Sequence, residues 1–246
     1  MSRRVVVTGM GCISPVGNNV KETWKSILAG KSGAAMITHF DASKHKTRFA
    51  AEVKGFDPVA LFGTREARKM DRFTQFANAV VMEALEHANL KIDETNRDRI
   101  GVVIGSGIGG IGTLLEQVEV LRERGPERVS PFLVPMMISD SAPGMIAIRF
   151  GVRGPNMALA TACASGNNAI GEALEMIRRG AADHLADRER RGARAGLQDR
   201  DSPLSGAKRR SGIDRRVRAR GCRAGAVWRL ATRRTDAGQG RSPRPS

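Results

Sequence analysis

Over the first 183 residues, apolar positions fall into short unbroken runs separated by helical stripes. The run from Arg4 to Val7 is β-branched and ends in Thr8-Gly9-Met10-Gly11. It lacks alternation, which predicts a strand buried on both faces of a parallel sheet. Ser14-Pro15-Val16-Gly17 makes a loop, and Asn19 reads as an N-cap. Val20, Trp24, Ile27 and Leu28 then form one face of a helix ending at Gly30. Ala34 to Phe56 has a mixed, hairpin-like pattern. The charged stretch Thr64 to Asp71 leads into a long helix with Phe73, Phe76, Ala77, Val80, Ala84 and Leu85 on its buried side. Arg99 to Ile104 reads as a second buried strand. Leu114 to Arg124 reads as a helix with Leu114, Leu115, Val118 and Leu121 on one face. Pro126, Pro131 and Pro135 mark an irregular loop, and Met136 to Phe150 is helical in its second half. Met157 to Ala160 predicts a short buried strand, followed by a helix carrying Ile170, Ala173, Leu174 and Ile177. Strands alternating with helices predict an α/β layered fold, with no internal repeat.

The pattern stops after Asp183. From 184 to 246 only 7 residues are Leu, Ile, Val or Phe. That is well below the roughly one-fifth level under which chains rarely fold. The same segment holds 18 Lys and Arg against 6 Asp and Glu, so it carries +12 of the chain's net +16. The first 183 residues therefore have the charge of an ordinary soluble domain. A basic arm is one way to bind nucleic acid. Here the arm has a single aromatic, Trp228, and no regular motif, which favours a solvated, disordered segment over a nucleic-acid partner. Three cysteines (Cys12, Cys163 and Cys222) do not make a disulfide framework and point to a reducing compartment. The apolar run at the start is broken too early for a signal segment, and no stretch reaches the length of a membrane span. The expectation is a cytoplasmic protein in two parts, a domain over 1–183 and a basic low-complexity tail over 184–246.

Chemistry concentrates at Thr161-Ala162-Cys163-Ala164-Ser165-Gly166. Cys163 sits between the predicted strand and helix, among small residues that permit a sharp turn and close approach of another molecule. A thiol there faces the positive end of a helix dipole and unpaired N–H groups, which favour a thiolate nucleophile and can hold an oxyanion. The turn alone leaves a second reading open, a small buried core cysteine. Gly105-Ser106-Gly107-Ile108-Gly109-Gly110 fits the dinucleotide pattern after a strand. The acidic residue that should end a second strand falls instead in a helical stretch, Glu116 to Arg124. Close approach of the backbone to a ligand or to another element explains these glycines better.

Val5 to Gly11, Ser14 to Gly17, Ile104 to Gly110, Ser130-Pro131-Phe132, Gly151 to Pro155 and Thr161 to Gly166 occur in one order and spacing. Together, over residues 2–183, they resemble the elongating condensing enzymes of the β-ketoacyl-[acyl carrier protein] synthase II type. The resemblance implies the N-terminal half of a thiolase-like, layered α-β-α-β-α fold. It implies that Cys163 takes an acyl chain from acyl carrier protein as a thioester, ahead of decarboxylative condensation with malonyl-loaded carrier. It implies that Gly107, Ile108 and Ala162 contact the substrate, and that Arg65, Arg68, Lys69 and Arg128 receive the acidic carrier protein. The strand at Met157 to Thr161 would pair across a two-fold axis in a homodimer. No metal or cofactor is implied, and no membrane.

The family's reaction also uses two histidines and a lysine from the second half of its chain. This sequence has His39, His45, His87 and His184, none in a matching motif. Where the family continues into a buried apolar strand, this chain runs from Asp183 into His184-Leu185-Ala186-Asp187-Arg188-Glu189. The expectation is a reading-frame slip near Asp183 in a GC-rich gene, with apolar surface left exposed on the remaining domain. A catalytically incomplete remnant that at most self-acylates or binds carrier protein is the alternative to a working synthase. Translating the other two frames beyond codon 183 should reveal an apolar strand and later histidine motifs; two featureless frames would refute the slip.

Overall fold

The computed structural model describes residues 4–189 and 225–232. Its middle layer is a five-stranded sheet. The strand order is β1 (Val5–Ile13), β7 (Gly225–Thr232), β6 (His184–Glu189), β4 (Ile100–Gly105) and β5 (Asn156–Leu159). β4 pairs in parallel with β5 and β6, whereas β7 runs antiparallel to both of its neighbours. A separate hairpin joins β2 (Ala34–Met36) to β3 (Phe49–Ala51).

The sheet divides two apolar layers. Val102 and Ile104 join the layer containing α4 (Arg72–His87) and α7 (Ser141–Phe150). Val103 and Leu185 join the layer under α8 (Ser165–Arg178). This is the period-two alternation of a pleated strand. All six residues of β4 are buried, so its run needs no polar alternation.

β1 differs from expectation. It is longer than the run Arg4 to Val7, continues through both glycines to Ile13, and has a bulge between Val7 and Gly9. It is an edge strand with Val7 half exposed, not a strand buried on both faces. Its glycines explain the extension. A Cβ on Gly11 would lie 2.0 Å from the Val80 carbonyl oxygen, and one on Gly9 would lie 2.2 Å from that of Ala84. The α4 backbone therefore rests directly on the strand. From α4, the Glu83 carboxylate accepts the N–H groups of Cys12 (2.8 Å) and Val20 (2.7 Å). It thereby ties β1 to the start of α1 (Val20–Leu28), which Asn19 caps through a bond from the Glu22 N–H.

Two helices turn their predicted apolar faces outward. On α1, Trp24, Ile27 and Leu28 are exposed, and the buried residue is Thr23. On α5 (Ile111–Arg124), Leu114, Leu115, Val118 and Leu121 are exposed, and the buried residue is Thr113. Periodicity finds an apolar face; it does not say whether this chain covers it.

The expectation that the whole tail from 184 is disordered needs correction at two segments. His184–Glu189 and Gly225–Thr232 are strands, and they pair with each other in the middle of the sheet. Backbone N–H and C=O groups make these ladders whatever the side chains. Leu185 and Ala186, both buried on opposite faces, supply β6 with apolar contact to each layer. The other tail residues in that expectation, 190–224 and 233–246, lie outside the described residues.

Gly11→Ala is expected to lower unfolding free energy by about 3 kcal/mol, because the new methyl meets fixed backbone. Gly144→Ala, in α7 with open space around it, should instead stabilise by about 0.5–1 kcal/mol. Denaturant titration compares the two, and equal effects would contradict the packing described. Deleting residues 225–246 removes the strand partner of β1. Amide exchange should then accelerate in Val5–Ile13 well before it does in β4.

Candidate active site at the Cys163 turn

Parallel strands β4 and β5 end side by side, with Gly105 opposite Leu159. The Ser106 N–H donates to the Leu159 carbonyl at 2.9 Å. Two loops rise from these strand ends: the glycine-rich segment 105–110, and the turn that carries Cys163. Crevices at the carboxyl ends of parallel strands are the usual place for ligands in α/β sheets.

After β5 the chain makes a tight helical turn over Ala162–Ala164 before α8 begins at Ser165. Ala162 has φ +49°, the left-handed region that residues with a Cβ rarely adopt. Hydrogen bonds hold the turn, among them one from the Ser165 N–H to the Ala162 carbonyl. The Thr161 N–H donates to Ser165 Oγ (2.9 Å), and Ser165 Oγ donates to the Ala162 carbonyl (2.7 Å). Asn168 Nδ2 donates to Thr161 Oγ1 (2.8 Å), and the Ala164 N–H to the Thr161 carbonyl (3.0 Å). Cys163 is exposed at the crest, and Ser165 is buried beneath it. The N–H of Cys163 is among the opening N–H groups of this helical segment, which have no intrahelical acceptor.

The glycine-rich segment packs against this turn and against the end of α6 (Leu133–Met137). A Cβ on Gly105 would lie 2.3 Å from the Ser165 carbonyl oxygen, and one on Gly107 would lie 3.2 Å from that of Ala162. Gly109, at φ +79°, and Gly110 back onto the carbonyls of Met137 and Met136. The glycines thus serve contact between protein elements. Asp71 anchors the far end of the segment. It caps α4 through the Phe73 N–H and accepts both the N–H (3.1 Å) and the hydroxyl (2.7 Å) of Thr113.

Of the residues singled out from the sequence, Cys163, Ala162 and Gly107 are brought together. Ile108 is 65% exposed on the same loop. Arg65, Arg68 and Lys69 stand on α3 (Thr64–Ala67) and the turn after it, with Arg65 and Arg68 exposed. Lys69 is paired with Glu66 at 3.0 Å, and the hydrogen bond and charge of Lys69 hold the Glu66 carboxyl below its ordinary pKa. Arg128 is exposed on a separate turn that follows α5. His87 accepts the Met10 N–H through Nδ1 (3.2 Å). His184 lies opposite Ile100, at the other end of the sheet from the Cys163 turn. Five residues of strand separate the two ends, about 16 Å. Sequence reasoning missed Ser165, Asn168, Asp71 and Thr113. Only the capping position of Asp71 before an apolar helix signalled any of them.

Among the described residues, no helix is long and apolar enough to cross a membrane, and no group of three or more His, Cys, Asp or Glu could hold a metal ion. A cavity of about 490 Å³ lies elsewhere, between the end of α4 and α7, lined by Leu85, Leu90, Arg149 and Phe150 among others.

The second described cysteine is a contrast. Cys12 is half buried in β1, and burial pushes its thiol pKa up. A hydrogen bond with Thr23 offsets this in part, and the nearby Glu83 charge adds to it. At pH 8, iodoacetamide should therefore modify exposed Cys163 at least about tenfold faster than Cys12, as read by peptide mass mapping. The reverse order would show that Cys163 is not presented as described.

The family profile described as "Beta-ketoacyl synthase, N-terminal domain" matches residues 2–185. The 3-oxoacyl-[acyl-carrier-protein] synthase 2 of Vibrio cholerae is 50% identical over 183 residues, covering 74% of this chain and 44% of that protein. The protein of the same name from Synechocystis sp. is 47% identical over 178 residues, covering 72% and 43%. Among solved structures, the ishigamide ketosynthase/chain length factor superposes with TM-score 0.76 at 27% identity, over 94% of this chain and 59% of that one. A ketosynthase solved with its type II polyketide acyl-carrier protein shares the fold at TM-score 0.70 and 22% identity, over 95% and 64%. The chain thus spans less than half the length of its curated relatives. Its layered α/β architecture is that of the thiolase-like ketosynthases. By the profile match and by the fold around Cys163, the chain belongs to the beta-ketoacyl synthase family, through that family's N-terminal domain.

Proposed function

We propose that Cys163 accepts an acyl group from acyl carrier protein. This is the first half-reaction of a 3-oxoacyl-[acyl carrier protein] synthase of fatty acid elongation. The observation that carries the reading is an exposed cysteine on a strained turn at the start of α8, backed by the glycine-rich segment, in a chain of this family. The Cys163 thiolate attacks the carbonyl carbon of the acyl thioester. The resulting oxyanion takes a hydrogen bond from the Cys163 N–H, at the positive end of the helix dipole. Collapse of the intermediate expels the carrier's thiolate and leaves the acyl group on Cys163.

The remaining roles follow from the same reading. The acyl chain lies along Gly107, Ala162 and the exposed Ile108 side chain. Arg65, Arg68, Lys69 and Arg128 steer the acidic carrier protein, as clustered cations do for an anionic partner. The outer edge of β5 carries no strand among the described residues, and a second copy adding its own β5 there would form a homodimer. The compartment is the cytoplasm. Condensation with malonyl-loaded carrier is the second half-reaction. It needs groups that promote decarboxylation and stabilise the carbanion. The bonds that build the turn come from Thr161, Ala162, Ala164, Ser165 and Asn168, with no histidine among them. This favours a chain that acylates itself without completing condensation.

Incubation with acyl-loaded carrier protein should raise the mass of the chain by one acyl group, and Cys163→Ala should abolish the adduct. Arg65→Glu with Arg68→Glu should raise the half-saturating carrier concentration about tenfold, from the loss of steering cations. Malonyl-loaded carrier should yield no 3-oxoacyl product with this chain alone. An adduct that survives Cys163→Ala would overturn the assignment.

A further inference from the structure

We infer that Ser165 is a positioning residue for Cys163, acting as the clasp that holds Ala162 in its left-handed conformation. The inference rests on the reading of Cys163 as nucleophile, and it adds a residue to that site. Ser165 is 1% exposed, so water does not compete for its hydroxyl. That hydroxyl has one proton and two lone pairs. The proton goes to the Ala162 carbonyl at 2.7 Å, and a lone pair takes the Thr161 N–H at 2.9 Å. The two bonds hold the Ala160–Thr161 and Ala162–Cys163 peptide units, so the hydroxyl bridges across Thr161 and Ala162. The φ of that residue, +49°, is unfavourable for any side chain and persists only where neighbours enforce it.

The peptide that follows Ala162 carries the N–H of Cys163. Rotation of Ala162 into the right-handed region swings that N–H away and carries the thiol off the end of α8. Other contacts act differently: the Ala164 N–H bond to the Thr161 carbonyl and the Ser165 N–H bond to the Ala162 carbonyl are backbone bonds that a side-chain change leaves in place. Asn168 reaches the Thr161 side chain, not the backbone of Ala162. Gly105 supports Ser165 from below through its carbonyl, and leaves the hydroxyl free to face the turn. The hydroxyl is thus the side-chain clasp, making the bridge from the Thr161 N–H to the Ala162 carbonyl that the backbone bonds do not make.

Removing the hydroxyl alone perturbs a buried site, so the decisive measurement is a coupling. Iodoacetamide alkylation of Cys163 reports the turn without any acyl donor. In the full chain, Ser165→Ala should slow alkylation of Cys163 about tenfold, the scale expected from losing a buried bonded pair. Glycine adopts φ near +49° without a Cβ penalty, so Ala162→Gly lessens the need for a clasp. In the Ala162→Gly background, the same Ser165→Ala change should slow alkylation by no more than about twofold. With acyl-loaded carrier protein, Ser165→Ala should lower the maximal acylation rate and leave the half-saturating concentration unchanged. A serine that merely supports the fold would give the same loss in both backgrounds, and that result would overturn the inference. So would an unchanged alkylation rate in Ser165→Ala. If the coupling appears in alkylation but the wild-type chain takes up no acyl group, the acyl-transfer reading fails and the clasp stands.

Discussion

Strand β4 ends at Gly105 directly beneath the first turn of α8, with no room between them for a side chain. This contact sets the height and pitch of the helix over the sheet, and so decides where Cys163 emerges. The opposite face repeats the device, with Gly11 and Gly9 of β1 under the Val80 and Ala84 carbonyls of α4. Backbone resting on backbone leaves little slack, because protein interiors are close-packed and no flexible side chain can take up a shift. The join between α8 and β6 is held by a fork. Arg99 makes two bonds of 3.1 Å to the Asp183 carboxylate and reaches the carbonyls of Gly180 and Ala181. The helix that follows Cys163 is thus fixed at both ends.

Within that frame the site is made of two loops that support each other. The glycine-rich segment is anchored by Asp71 at one end and by the Ser106 bond to β5 at the other. The cysteine turn is held by Ser165 and Asn168 and rests on Gly105 and Gly107. Strain at Ala162 is concentrated one residue before Cys163, where a rigid surround keeps it from relaxing. Rigid presentation suits the proposed acyl transfer, because a donor to an oxyanion must already be aimed when charge develops.

The sheet is completed in an unexpected way. Among the described residues, β1 reaches the rest of the sheet only through β7, which comes from the basic tail and is the one antiparallel member. Meanwhile α1 and α5 present Trp24, Ile27, Leu28 and Leu115 to solvent. Apolar area of that kind marks surfaces made to be covered. The matched part of the chain spans less than half the length of its curated relatives.

Much of this was legible in the sequence, for reasons that differ by element. β4, α4 and α8 declared themselves through unbroken or 3.6-periodic apolar runs, because each buries its face within this chain. The Cys163 turn was legible through its small residues and its place between a strand and a helix. β1 was misjudged because edge and centre give the same short apolar run, and two glycines that looked like an ending were places for α4 to dock. β6 and β7 were invisible because backbone pairing needs few apolar side chains. By itself, the sequence determined the layered α/β class, the main helices and the place of Cys163 between a strand and a helix. Only the tertiary structure decided which apolar faces were buried, which glycines touched which carbonyls, and that the Ser165 hydroxyl bridges Thr161 and Ala162. Those facts depend on how segments far apart in the chain meet, and local periodicity carries no information about that.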